Sequence, residues 1–301
     1  MKNIILDFAK KNDLLVGICD AEAIKIDESI LKRDVPFVKN TKSRLDPKTV
    51  MKEAKSIIVL GYKYNKKLNF TMDDKPRGNI SVGAVGLDYH VILKNHMNNL
   101  IVLLNKYKNA EFMSFVDMGP LMEKEFAKKA GLGFQGKNSL VIHPIVGSFF
   151  YIGLILTSLE LEPYKEGENS IRSCGDCEKC VVACPSGAIK NNYEIDYSVC
   201  VSYLTQKKGK LTKTEEKLLG VSIYGCDICQ NVCPYNSLKH WGSICDIEQK
   251  FPNVDKFLNM SDEDFKDVYG KTSAFWRGRK TLSRNAEIAL KNLEVANYHE
   301  L

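Results

Sequence analysis

No window of this 301-residue chain holds eighteen apolar residues, so no helical span of a membrane is expected. Nothing at the amino terminus resembles a secretory signal, which argues against an exported, disulfide-stapled protein and for a cytoplasmic one with reduced cysteines. There is no low-complexity linker and no internal repeat of long period, so neither a disordered scaffold nor a solenoid fits. No Walker lysine-serine context is present, and the glycine-rich stretch near the middle does not follow a strand, so neither ATP nor NAD is supported. Charge of one sign is also scarce. The net value is +6, from 43 Lys and Arg against 37 Asp and Glu, too little to establish a nucleic-acid partner by itself.

What the chain does have is cysteine in a pattern. The run Cys174-Gly-Asp-Cys177-Glu-Lys-Cys180-Val-Val-Ala-Cys184-Pro185 has the spacing of a bacterial ferredoxin, in which three thiolates hold one cluster and the fourth crosses to another. The run Cys226-Asp-Ile-Cys229-Gln-Asn-Val-Cys233-Pro234 is one ligand short, and Cys200 lies upstream to fill the gap. Two cubanes need eight ligands, and these are eight. The spacing therefore assigns Cys174, Cys177, Cys180 and Cys233 to one 4Fe-4S cluster, and Cys184, Cys200, Cys226 and Cys229 to the second. Zinc and disulfides are the alternatives; a triple Cys-x-x-Cys-x-x-Cys closed by Cys-Pro is unusual for zinc. Cys19 and Cys245 have no partner pattern, and Cys19 sits in an apolar stretch suited to a buried small hydrophobe.

Apolar spacing predicts an opening helix over about 2–11, buried strands over 14–19 and 56–64, and a long amphipathic helix over 88–107. A strand over 112–116 ends on Asp117, followed by a Met-Gly-Pro turn and a helix over about 121–130 that Gly131 stops. Strands over 140–145 and 148–157 around Val146-Gly147 read as a hairpin. Beyond Ser237 the chain returns to helices, with a cap around 261–264 and a last helix over about 282–293. The fold class expected is α/β (α+β): a layered domain over 1–165, a ferredoxin-like two-cluster module over 166–240, and a helical segment over 241–301 packing on the core.

An acid at a strand end before a tight turn projects into the crevice where α/β domains bind ligands, although a lone aspartate there is commonly a helix cap. Gly131-Leu-Gly133-Phe-Gln-Gly136-Lys137-Asn138-Ser139 lets backbone approach a ligand and offers donors. Lys207, Lys208, Lys210, Lys213 and Lys217 follow Cys200, and Arg277, Arg279, Lys280 and Arg284 cluster later. Such runs are solvated faces or RNA-binding surfaces.

Taken in order, Gly86-Leu-Asp88-Tyr89-His90, Val116-Asp117-Met-Gly-Pro120, Lys129 to Ser139, the cysteine run, Cys200-Val-Ser-Tyr203-Leu-Thr205 and Tyr224 to Asn236 resemble the epoxyqueuosine reductases, over about 44–292. The resemblance implies a cobalamin-dependent iron-sulfur enzyme. It would convert the epoxide of epoxyqueuosine, at the wobble position of tRNAs with a guanine-start anticodon, to queuosine. Electrons would pass from the two 4Fe-4S clusters to cobalamin after delivery by an external donor such as flavodoxin or ferredoxin. The protein would act as a monomer, away from membranes. Asp117 matches the family's proton donor. Gly136, Lys137, Asn138 and Ser139 would contact the corrin or its nucleotide tail, with Arg44 nearby and Tyr203, Thr205 and Gln230 in the cluster-side wall.

No Asp-x-His-x-x-Gly signature of histidine-ligated cobalamin is present, so the cofactor would bind without that ligand; His90 and His143 read as structural. Two positions depart from the family pattern, Leu87 standing in place of arginine and Phe134 in place of tryptophan. A reductive dehalogenase and a non-catalytic ferredoxin-type subunit are the rival readings. Dehalogenases are usually longer and carry a twin-arginine signal. The subunit reading leaves the first 160 or so residues unexplained.

Overall fold

The structure, a computed structural model, describes residues 1–26, 37, 41–64, 75–117, 119–166, 173–190, 193–236 and 247–299; Cys245 lies outside them. The chain forms two compact units, each assembled from separate segments. The first comprises 1–63, 89–177 and 234–236, the second 64–88, 178–233 and 237–301.

In chain order the described strands are β1 (Leu14–Asp20), β2 (Ser56–Lys63), β3 (Asn79–Ile80), β4 (Phe112–Val116), β5 (Phe134–Gln135), β6 (Val141–Ile142), β7 (Phe150–Thr157), β8 (Tyr164–Lys165) and β9 (Ser222–Tyr224). The first unit is built on a five-stranded sheet of order β4-β7-β2-β1-β8, antiparallel at every pairing. Helices α1 (Lys2–Lys11), α2 (Tyr89–Asn105) and α3 (Glu123–Lys129) belong to it. The strands are apolar on both faces because both are covered. Leu14, Val16, Ile18, Ile58, Leu60 and Ile155 pack with Ile5, Ala9, Leu93, Met97, Leu100 and Leu104 of α1 and α2. The alternate positions face α3, and Gly17 lies so close to Ala130 and Leu132 that a Cβ there would clash with both. Complete burial of such side chains stabilises the fold by about 1.5–3 kcal/mol each.

α3 ends as its sequence predicts. Gly131 has φ 76°, its N–H donates to Lys128 O at 3.0 Å, and that of Leu132 donates to Ala127 O at 2.9 Å, the paired bonds of a glycine-stopped helix. The expected hairpin across Val146-Gly147 does not form. β6 pairs with β5 and β7 with β2 and β4. Only His143 and Gly147 bridge the turn. Gly147 is at φ 79° with Asn236 Oδ1 occupying the space of a Cβ.

The second unit is helical around a short parallel pair, β3 with β9. Its helices are α4 (Lys179–Ala183), α5 (Val201–Gln206), α6 (Lys213–Leu219), α7 (Ile228–Asn231), α8 (Ile247–Lys250), α9 (Val254–Leu258), α10 (Asp262–Tyr269) and α11 (Gly278–His299). The polar segment expected to cap a helix does so, Ser261 and Asp264 exchanging side-chain and backbone bonds at the start of α10. α11 is longer than apolar spacing alone predicts. Asn285, fully buried on it, donates to Thr205 O at 2.7 Å and Ile223 O at 2.8 Å, tying α11 to α5 and β9.

Candidate functional site

In the first unit, β4 is an edge strand that delivers Asp117 at its end with φ 57°. Aspartate tolerates this left-handed conformation better than most residues, yet it remains uncommon and needs support. The carboxylate has it. Tyr89, at the start of α2, donates its hydroxyl to Asp117 Oδ2 at 2.7 Å, and His90 Nε2 stands 3.8 Å from the same oxygen. Tyr89 is fixed by stacking on Tyr151 at 3.7 Å between ring centroids and 6° between planes. The Asp117 side chain is 54% exposed, so within this unit it remains open to water. The sheet that carries it is antiparallel throughout.

Behind Asp117 lie Arg44 and Glu123. Arg44 Nη2 donates to Gly119 O at 3.2 Å and Leu121 O at 2.9 Å, and Arg44 O accepts from Met122 N at 2.9 Å. Burial pushes the Glu123 carboxyl well above the usual glutamate range. The charge of Asp117 adds to that shift, while Arg44, Lys124 and a hydrogen bond from the Asp117 main chain oppose it. Burial also lowers the Arg44 guanidinium from its usual value, with Glu123 opposing.

Lys137 and Asn138 are buried in a turn closed by Gly136 N to Leu140 O at 2.8 Å, with Ser139 at φ 62°. Lys124 Nζ holds Ser139 O at 2.8 Å. The Lys137 N–H donates to Cys174 Sγ at 3.4 Å, so this turn reaches a cysteine of the ferredoxin run. Phe134 packs edge-on against Tyr235 at 5.2 Å.

The second unit gathers Cys180, Cys184, Cys200, Cys226 and Cys229 around α4, α5 and α7. Burial pushes the Cys226 thiol up to about 11, with the charges of Asp227, Cys200 and Cys184 adding. Cys229 is raised by burial and then by Cys226, Cys200 and Cys180. Cys200 is raised by burial, with Cys184 adding. For Cys184 the bonds from Ser186 and nearby amides outweigh burial and lower it. Thiols that oppose one another's ionisation need a cationic core to hold them all as thiolates. Among the described residues no three of His, Cys, Asp or Glu converge as the shell of one ion. No described cysteine is in a disulfide.

Asp227, between two of these cysteines, is buried. It accepts from Ser81 Oγ at 2.5 Å, Val82 N at 2.8 Å and Lys250 Nζ at 2.8 Å. Thr205 is fully buried with its hydroxyl donating to Ser202 O and accepting from Gly225 N at 2.9 Å, so it braces the ligand loop from behind. Gln230 meets the Tyr64 hydroxyl at 3.4–3.5 Å, and Tyr203 packs on the Leu204, Leu211, Leu219 and Ile288 cluster.

The arginines expected to offer a surface to RNA are largely spent inside the unit. Arg284 donates to Lys207 O, Gly209 O and Asn285 Oδ1. Arg279 binds Asp262 and Met260 O, and Arg277 lies over the Trp276 ring. Among the lysines, Lys207 pairs with Glu215 and Lys213 with Glu216. Lys208, Lys210, Lys217 and Lys280 are exposed.

Two family models match this chain: a 4Fe-4S double cluster binding domain at residues 173–236 and epoxyqueuosine reductase QueG at 44–118. The epoxyqueuosine reductase of Bacillus cereus is 36% identical over 262 residues, covering 84% of this chain and 68% of that protein. The chain belongs to the epoxyqueuosine reductase family. Among solved structures, an epoxyqueuosine reductase from Streptococcus thermophilus superposes with a TM-score of 0.90 at 35% identity, covering 97% of this chain and 81% of that one. A crystal structure of an epoxyqueuosine reductase with an epoxyqueuosine-modified tRNA-Tyr stem loop has a TM-score of 0.86 at 31% identity, with the same coverage.

As an epoxyqueuosine reductase the protein is an oxidoreductase with a 4Fe-4S double cluster domain and a mixed α and β fold. No described helix is long and apolar enough to cross a membrane. Sequence reasoning singles out Asp117 and Arg44 but not Tyr89, His90 and Glu123, which stand beside Asp117. Tyr89 and His90 stand in the Gly86 to His90 motif, where nothing local ties either of them to Asp117. Glu123 carries no signal beyond an acidic residue in the first turn of a helix, where the macrodipole alone would account for it.

Proposed function

We propose that this protein reduces epoxyqueuosine in tRNA to queuosine, the epoxide oxygen leaving as water at the cost of two electrons and two protons. The observation that carries the reading is an aspartate held at the end of β4 by a tyrosine hydroxyl, in a family member with a double-cluster cysteine domain. When bound, cobalamin would supply a strongly reducing, nucleophilic metal centre, and the 4Fe-4S clusters the low-potential electrons it needs. Cys174, Cys177, Cys180 and Cys233 are assigned to one cluster, and Cys184, Cys200, Cys226 and Cys229 to the other.

The residues fit a corrinoid held through its polar periphery. Three amides of the turn over 136–139 are already bonded within the protein, so its polar side chains would hold the group, while His143 is buried with Nδ1 accepting from Ile145 N and Val146 N and is unsuited to bind a metal. Asp117 gives its proton to the oxygen released from the ring, and the solvent-open side chain is the one that reaches substrate. Tyr89 orients Oδ2 and leaves Oδ1 for the transferred proton. His90, beside the same carboxylate, restores it. Lys208, Lys210 and Lys217, which are exposed, would meet phosphates of a tRNA with a guanine-start anticodon, and flavodoxin or ferredoxin would provide electrons.

The test is anaerobic: reconstitute iron and sulfide, add cobalamin and a low-potential reductant, and follow nucleosides from epoxyqueuosine-containing tRNA by mass spectrometry. Queuosine formed only when both cofactors are present supports the proposal. Eight irons and one cobalamin per chain without queuosine would move the substrate elsewhere.

A further inference from the structure

Asp117 is the residue on which the proposed chemistry turns, and its backbone sits in an uncommon conformation that its own side-chain bond to Tyr89 does not fix. Two other side chains lie against the segment that follows it. We propose that Arg44 and Glu123 are positioning residues for Asp117, Arg44 gripping the carbonyls of Gly119 and Leu121, and Glu123 standing buried beside them. The proposal rests on Asp117 being the acid of the reaction, while the geometry it concerns belongs to the protein without cofactors.

Each side chain gives one edge to the loop and keeps another in reserve. Arg44 Nε and Glu123 Oε1 are both buried without a hydrogen-bond partner among the described residues. Arg44 spends its Nη2 on two carbonyls, while its own carbonyl receives Met122 N, so residue 44 holds the segment that follows Asp117 at three points. The groups facing Glu123 are Asp117, Arg44 and Lys124. Burial and the Asp117 charge favour the protonated form, which sets no second negative charge beside the acid.

The decisive comparison sets Glu123→Ala, Glu123→Gln and Arg44→Met beside wild type, reading hydrogen exchange of the Asp117 and Gly119 amides together with kcat and KM. Glu123→Ala and Arg44→Met should exchange those amides at least about tenfold faster and lower kcat about 10–100-fold with KM for tRNA within about threefold. Glu123→Gln keeps the size and shape of the buried side chain, so its exchange and kcat should stay near wild type. Unchanged exchange and kcat in Glu123→Ala and Arg44→Met would overturn the proposal, as would Glu123→Gln exchanging like Glu123→Ala while folded. If wild type makes no queuosine but the variants still expose the Asp117 amide, the positioning stands and the reaction assigned to Asp117 falls.

Discussion

Asp117 shows how far a single residue can be read. Its place at a strand end before Gly119-Pro120 is visible in the chain, because strand alternation and turn chemistry are local. The hydroxyl that binds it comes from Tyr89, 28 residues earlier, and no local rule links the two. Tyr89→Phe removes that donor and should lower kcat about tenfold, ~1.4 kcal/mol, with little change in KM, measured by steady-state turnover. Glu123 makes a separate prediction about stability. The folded carboxyl holds its proton above the ordinary value of 4.5, at which the unfolded chain releases it. The folded state therefore binds more protons in that window, and stability falls as pH rises through it. Denaturant unfolding of wild type and Glu123→Gln between about pH 4 and 8 should show the wild type losing ground to the variant as pH rises; parallel curves would contradict the shift.

At the scale of elements, the ends are legible where a single signal sets them. The helix over 2–11 and the strand over 112–116 have the bounds that apolar spacing predicts, and Gly131 and Ser261 act as stop and cap. Pairing is not legible. β7 leaves the Val146-Gly147 turn to join β2 and β4, because eight positions of β2 offer it a continuous apolar partner that two-residue β6 cannot. The ligand loop of the second unit also depends on a side chain no motif announces. Lys250 Nζ satisfies Asp227, Asn79 Oδ1 and Ile80 O, with both charges buried. Lys250→Met leaves Asp227 uncompensated and should destabilise the protein by about 3–5 kcal/mol, read by denaturant unfolding of the reconstituted protein. A loss below about 1 kcal/mol, the range of an exposed pair, would show the pair to be peripheral.

For the whole molecule, the cysteine spacing announces an iron-sulfur protein, and the ordered motifs announce the family, because both are written in contiguous residues. The make-up of the two compact units is not so written, since each collects segments from distant parts of the chain, and packing between such segments leaves no mark on composition. The basic C-terminal cluster departs from expectation for a related reason: Arg284 and Arg279 find carbonyls and an acid that only the fold brings near. On the proposed function, phosphate binding would fall to exposed lysines. Lys208→Ala combined with Lys210→Ala should weaken tRNA binding and flatten the dependence of log affinity on log salt by about 1 for each lysine that pairs with a phosphate, whereas Arg284→Ala should act through stability.

The most direct measurement is single-turnover conversion of epoxyqueuosine-containing tRNA by wild type and Asp117→Asn, each loaded with iron, sulfide and cobalamin to the same content and followed by nucleoside mass spectrometry. Asparagine suits the left-handed backbone at this position, so the variant should fold and load normally. A rate reduced about 10²–10⁴-fold with unchanged tRNA binding is the result expected of a proton donor at Asp117. Conversion by the variant at the wild-type rate would contradict it.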